Sequence, residues 1–167
     1  GSSTTVKHFR LLINVLEKLK NKYGDKLKIR LISDNGLGKS SIEIENIPWT
    51  AQDEIERLDE IDIGIMPLPD DEWSKGKCGF KGLQYMSMGK PSVMSPVGVN
   101  NEIIEHGVNG FLAKTDEDWE QIITDLIENK QLRDKIGKAG RLTIEQRYSI
   151  EANKEKYLEL FNQVISK

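Results

Sequence analysis

The sequence is poor in the residues that staple or metallate a small protein: one cysteine, two histidines and five prolines in 167 residues. Cys78 alone cannot form an intrachain disulfide or a multi-cysteine zinc cluster, which points to a reducing compartment. His8 and His106 have no histidine or carboxylate at metal-ligand spacing, so exposure or capping is their expected role and no metal is expected. Positive charge is not in excess either. With 24 basic and 27 acidic residues the formal charge is -3, which excludes the global positive field of a nucleic-acid binder but not a local phosphate site. No apolar run approaches the roughly 18 residues that would read as a membrane span. What remains is 37% hydrophobic and 31% charged, a globular composition of a size that suits one domain.

The apolar spacing alternates between two periods. Val6, Phe9, Leu12, Ile13, Leu16 and Leu19 recur at helical spacing and predict one helix from about Thr5 to Lys22. Leu27, Ile29 and Leu31 then alternate as a strand before the Ser33-Asp34-Asn35-Gly36 turn, and Ile42 and Ile44 lead a second strand to Ile47. Thr50 caps a helix whose apolar residues are Ile55 and Leu58. The nearly uninterrupted run Ile61 to Leu68 predicts a central strand covered on both faces. An exposed loop follows to Gly79, then a helix from Phe80 to Met88 and a strand from Ser92 to Ser95. A short helix at Asn101 to His106, a strand at Phe111 to Ala113 and a helix through Glu128 continue the rhythm. The whole predicts an α/β chain with a mostly parallel sheet between helices. Residues 1–167 read as a single domain and 130–167 as its helical extension.

Chemistry concentrates where strands give way to loops. Gly79, Phe80 and Lys81 open a helix, whose first amides lack intrahelical partners and attract anions. Gly79 permits close approach, and Lys77 or Lys81 adds charge. A plain turn with solvated lysines is the competing reading. Asp70, Asp71 and Glu72 read as a solvated turn, and Cys78 lacks a base that would make it a nucleophile.

The segment GKCGFKGLQYMSMGKPSVMSPVGVNNEIIEHGVNGFLAKTDEDW resembles the donor-binding core of the large retaining glycosyltransferase family numbered four, of two-Rossmann-domain (GT-B) architecture. The resemblance implies the C-terminal half of such an enzyme, binding a nucleotide-diphosphate sugar as donor substrate, with no separate cofactor. Family members carry two carboxylates separated by seven residues in this region. Here those positions are Gly76 and Gln84, so both acids are absent, and Gln84 would meet ribose hydroxyls through its amide. Gly79, Phe80 and Lys81 match the helix start near the diphosphate. Pro48 and Trp49 resemble the loop lining the nucleobase, a core tryptophan being the alternative. Gly1 to Thr5 resembles the turn after the first strand, which places Ser3 and Thr4 near the phosphates or as helix caps. Lys7 is a further phosphate candidate by its nearness in sequence. That first strand is itself expected to be lacking.

The expected function is therefore donor binding within a retaining glycosyltransferase that transfers sugar to an unidentified acceptor carbohydrate or glycolipid, with catalytic residues unassigned. The isolated domain is expected to be inactive. A noncatalytic nucleotide-sugar binding or assembly module is the alternative. A preceding Rossmann-like domain is the expected partner, and nucleic acid is not. A cytoplasmic setting is expected, with peripheral contact at the inner membrane face through the preceding domain.

Overall fold

The computed structural model describes residues 3–165. The first helical stretch is not one helix. α1 (Ser3–Phe9) passes through a 3-10 turn (Arg10–Leu12) into α2 (Ile13–Tyr23). The turn tightens where Arg10 Nη2 donates 2.6 Å to the Leu37 carbonyl beyond the next strand. Phe9, Leu12, Leu16 and Leu19 are buried as their spacing predicts, and Val15 joins them.

The strands are shorter than the apolar runs that announce them. β1 (Arg30–Ile32) pairs in parallel with β2 (Glu45–Ile47), with Arg30 opposite Glu45. α3 (Glu54–Asp59) follows; it buries Leu58 but leaves Ile55 exposed, so only one of its two expected apolar anchors packs. β3 (Gly64–Met66) corrects a second expectation, because it is an edge strand of its sheet rather than a central one. The central place belongs to β4 (Ser92–Met94), wholly buried between β3 and β5 (Phe111–Leu112), all parallel. The apolar run around β3 still has its reason: Ile63 and Ile65 pack to one face of the sheet and Met66 to the other.

Helices cover both faces. Phe9, Leu12, Leu16 and Leu19 meet Trp119, Ile123 and Leu126 of α7 (Asp116–Glu128) in one apolar cluster. On the opposite face α5 (Phe80–Ser87) and α6 (Asn100–Ile103) bring Met86 and Ile103 onto Met94. Thr115 begins α7 with a reciprocal capping box, its hydroxyl accepting from the Asp118 amide. α8 (Lys130–Thr143), a π turn (Ile144–Tyr148) and α9 (Ile150–Ile165) follow. α8 packs on α5 so closely that Gly137 has no room for a Cβ beside the Gly89 carbonyl. α9 has no buried residue. No helix among the described residues is long and apolar enough to cross a membrane.

Candidate functional site

The loop from Pro67 to Gly79 leaves the carboxyl end of β3. Within it α4 (Glu72–Lys75) is capped by Asp71, whose Oδ1 accepts 2.7 Å from the Ser74 amide. Trp73 points outward at 72% exposure. The loop is held from below. Asn100, buried, donates 2.9 Å to the Ser95 carbonyl, and Ser95 Oγ accepts 2.9 Å from the Leu68 amide. A Cβ on Gly98 would lie 2.6 Å from the Lys75 carbonyl oxygen, so the loop after β4 packs backbone to backbone against α4.

Gly79 sets the start of α5. Its φ of +69° is a left-handed conformation open to glycine, and an added Cβ would strike Ile103 and come 3.2 Å from Asn100 Oδ1. Gly79 offers no side-chain cap, and among the described residues no side-chain cap hydrogen bond closes this helix start. Phe80 is 58% exposed, which makes its backbone, not its ring, the part built into the fold.

On one flank stands Lys81, one of the two lysines expected to add charge at the helix start. Its Nζ donates 2.5 Å to Glu54 Oε1 of α3 and 2.9 Å to Gln84 Oε1. Trp49 joins the same carboxylate. Burial works to raise the Glu54 pKa, yet hydrogen bonds from Lys81, then Trp49, with a smaller contribution from Gln84, outweigh it and hold the carboxyl below its ordinary value. Three of the sequence-predicted residues, Lys81, Trp49 and Gln84, thus converge on one acid that the sequence did not single out. Pro48 precedes Trp49 in the same loop after β2.

On the other flank are Lys7 and His8 of α1 with Asp71 and Lys77 of the loop. His8 corrects the expectation of an exposed residue: it is buried at 8%. Burial first, then the positive charge of Lys77, lowers its pKa, against the opposing pull of Asp71. Asp71 is in turn held below its usual range by the Ser74 backbone and side chain, with Lys7 and His8 helping. Neither Lys7 nor Lys77 has a salt bridge among the described residues. Thr4 lies in α1 beside them, and the Ser3 side chain lies outside the described residues. His106 stands apart: its Nδ1 accepts 3.1 Å from the Leu112 amide and its ring meets Phe111 edge-on, a purely structural role.

The signals for the two missed residues were present but indirect. Glu54 is 27 residues from Lys81, and only the topology brings α3 beside α5. His8 sits on the polar side of its helix by spacing, and its burial at 8% depends on tertiary packing that helical periodicity does not show.

An α/β fold with parallel strands between helices, and an uncapped helix start at the carboxyl end of a strand, defines a Rossmann-like domain of the kind that receives anionic ligands at strand ends. Residues 1–129 match the family of glycosyl transferases group 1, and the chain belongs to that family. No curated protein matches. Among solved structures the fold is similar to Anabaena Alr3699/HepE in complex with UDP-glucose (TM-score 0.72, 20% identity, 92% of this chain and 44% of that one). It is also similar to TarM, of which an S. aureus form is known (TM-score 0.75, 22% identity, 97% and 34%). A third likeness is to a glycosyltransferase from Rickettsia africae ESF-5 (TM-score 0.75, 20% identity, 99% and 46%). The chain therefore spans less than half the length of these solved structures.

Proposed function

We propose that residues 1–167 form the donor-binding domain of a retaining glycosyltransferase of family four, with 130–167 as its helical extension. The domain holds a nucleotide-diphosphate sugar while a second Rossmann-like domain shapes the acceptor. The single observation that carries the reading is the glycine-initiated start of α5 without a side-chain cap, flanked by Lys77, which has no salt bridge among the described residues, in a chain of glycosyl transferases group 1. As the bond between the anomeric carbon and the diphosphate oxygen breaks, negative charge grows on the leaving group. The amides of Gly79, Phe80 and Lys81 then stabilise it together with Lys77 and Lys7, with Ser3 and Thr4 beside them. Gln84 meets the ribose hydroxyls and Pro48 and Trp49 meet the base. Lys81 contributes its backbone amide at the diphosphate, while its ammonium, tied to Glu54, keeps Gln84 in place. Family membership supports transfer over a noncatalytic binding module.

Calorimetry on the full-length protein with UDP, ADP and GDP, then with the matching nucleotide sugars, tests donor binding. One nucleoside diphosphate should bind in the micromolar range and its sugar adduct should be consumed only when acceptor is present. Proton NMR of the product should show the donor's anomeric configuration. Inversion would overturn the retaining assignment, and absence of binding to every nucleotide would overturn the donor site.

A further inference from the structure

Glu54 opens α3, 27 positions ahead of Lys81, and its carboxylate is where α3, α5 and the loop after β2 come together. Its side chain is 17% exposed, so the group is largely enclosed and still reachable. Lys81 Nζ donates both to Glu54 Oε1 and to Gln84 Oε1. An ammonium carries donors only, so this bond fixes the Gln84 amide with its oxygen toward Lys81 and leaves its N–H groups as donors. Gln84 and Trp49 both donate to Glu54 as well. Among the described residues three side chains thus serve a carboxylate that can accept about four hydrogen bonds, which leaves room for one more. Burial opposes its charge, but the bonds from Lys81, Trp49 and Gln84 prevail and keep the group an anion at neutral pH.

The groups also stand in an order. The amides of Gly79 to Lys81 open α5, and Gln84 follows one turn later, about 6 Å along the axis, with its side chain leaning back toward the helix start. Glu54 joins Gln84 to Trp49. Diphosphate, ribose and base follow one another in the same sequence along a nucleoside diphosphate. We propose, resting on the donor reading above, that Glu54 reads the ribose: its carboxylate accepts a hydrogen bond from the ribose diol, while Lys81 and Gln84 hold it in place. A hydroxyl proton needs an acceptor, and the oxygen of Gln84 is already engaged by Lys81. The carboxylate supplies a charge-assisted bond of roughly twice the strength of a neutral one. Selectivity follows from the same arrangement, because a ligand without the hydroxyls leaves an enclosed acceptor unpaired. The substrate class is then a ribonucleotide sugar, with the diol as a required feature.

Calorimetry on the full-length protein tests this with three ligands: whichever of UDP, ADP and GDP binds best, its counterpart lacking both ribose hydroxyls, and inorganic pyrophosphate. Wild type should prefer the ribose form over its dideoxy counterpart by at least about tenfold. Glu54→Gln should weaken the ribose form about tenfold and leave the other two ligands within about twofold, so that discrimination narrows to about threefold or less. Glu54→Asp keeps a charge for Lys81 but shortens the reach, and it should show the same pattern to a smaller degree. A wild type that binds ribose and dideoxy forms equally would overturn the proposal while leaving the donor site standing. So would variants that weaken all three ligands alike, since Glu54 would then only hold the fold. Failure of every nucleotide to bind would overturn the donor reading itself, and this inference with it.

Discussion

The two lysines flanking the start of α5 are four residues apart and live in opposite electrostatic circumstances. Lys81 is spent on Glu54 and Gln84, so its charge is answered within the protein. Lys77 has no salt bridge among the described residues and, with Lys7, leaves an excess of positive charge beside a buried His8 whose pKa it helps to lower. A half-buried flank with its charges paired holds geometry, and a flank whose lysines lack salt bridges among the described residues is suited to an anion. The first half of that contrast is a property of the fold, and the second belongs to the proposed donor site.

Gly79 is the hinge both flanks share, and changing it should have the largest effect. Gly79→Ala adds a left-handed strain of about 1–2 kcal/mol and an overpacking cost of about 1–3 kcal/mol against Ile103. A loss of about 2–5 kcal/mol in urea unfolding is expected, and a loss below about 1 kcal/mol would show that the helix start is not held as described.

Breaking the paired flank comes next. Glu54→Ala leaves the Lys81 ammonium half-buried without its partner, which should cost about 1–2 kcal/mol after allowance for solvent at the lysine. The pH dependence has a fixed sign. Glu54 titrates below its ordinary 4.5 in the folded state, so its contribution is full above about pH 4.5 and fades as pH falls through the folded value. The stability gap between wild type and Glu54→Gln should therefore close in acid. A gap that stays constant to pH 3 would contradict the ion pair.

Lys77→Ala should do the reverse of Glu54→Ala. Stability should stay within about 0.5 kcal/mol, while affinity for the preferred nucleoside diphosphate should fall about tenfold, which is about 1.4 kcal/mol. Equal effects of Lys77→Ala and Lys81→Ala on stability would erase the contrast between the flanks.

The smallest signal is the titration of His8. Its folded pKa lies below 6.5, so stability should decline as pH drops through 6.5 until His8 itself takes a proton. A diphosphate bound beside Lys77 and Lys7 offsets their charge, and the His8 ring resonances should then titrate at higher pH with nucleotide than without. An unmoved or lowered midpoint would place the anion elsewhere.

Much of the fold was legible because burial is written in periodicity. Trp119, Ile122, Ile123 and Leu126 form the stripe of α7 that the spacing predicts, and the helix starts at Thr115 where a capping hydroxyl stands. The strand at Ile61 to Leu68 was legible in kind but not in place. An all-apolar run reports cover on both faces, whereas edge or centre depends on which strand lies beside it, and that is a matter of topology. The site divided the same way. Gly79 was found because a left-handed helix start needs a residue that sequence shows directly. Lys81 was found with its partner unknown, since Glu54 belongs to another helix, and His8 was misread because its burial depends on tertiary packing that spacing along one helix does not report.

The account turns on where the diphosphate of the proposed donor sits. A structure of the full-length protein with its nucleotide sugar bound tests this most directly. It should place diphosphate oxygens within hydrogen-bonding distance of the amides at Gly79, Phe80 and Lys81, with the Lys77 ammonium turned toward them and Lys81 still on Glu54. Diphosphate lying away from that helix start, or Lys81 released from Glu54 to hold it while Lys77 remains in solvent, would contradict the account.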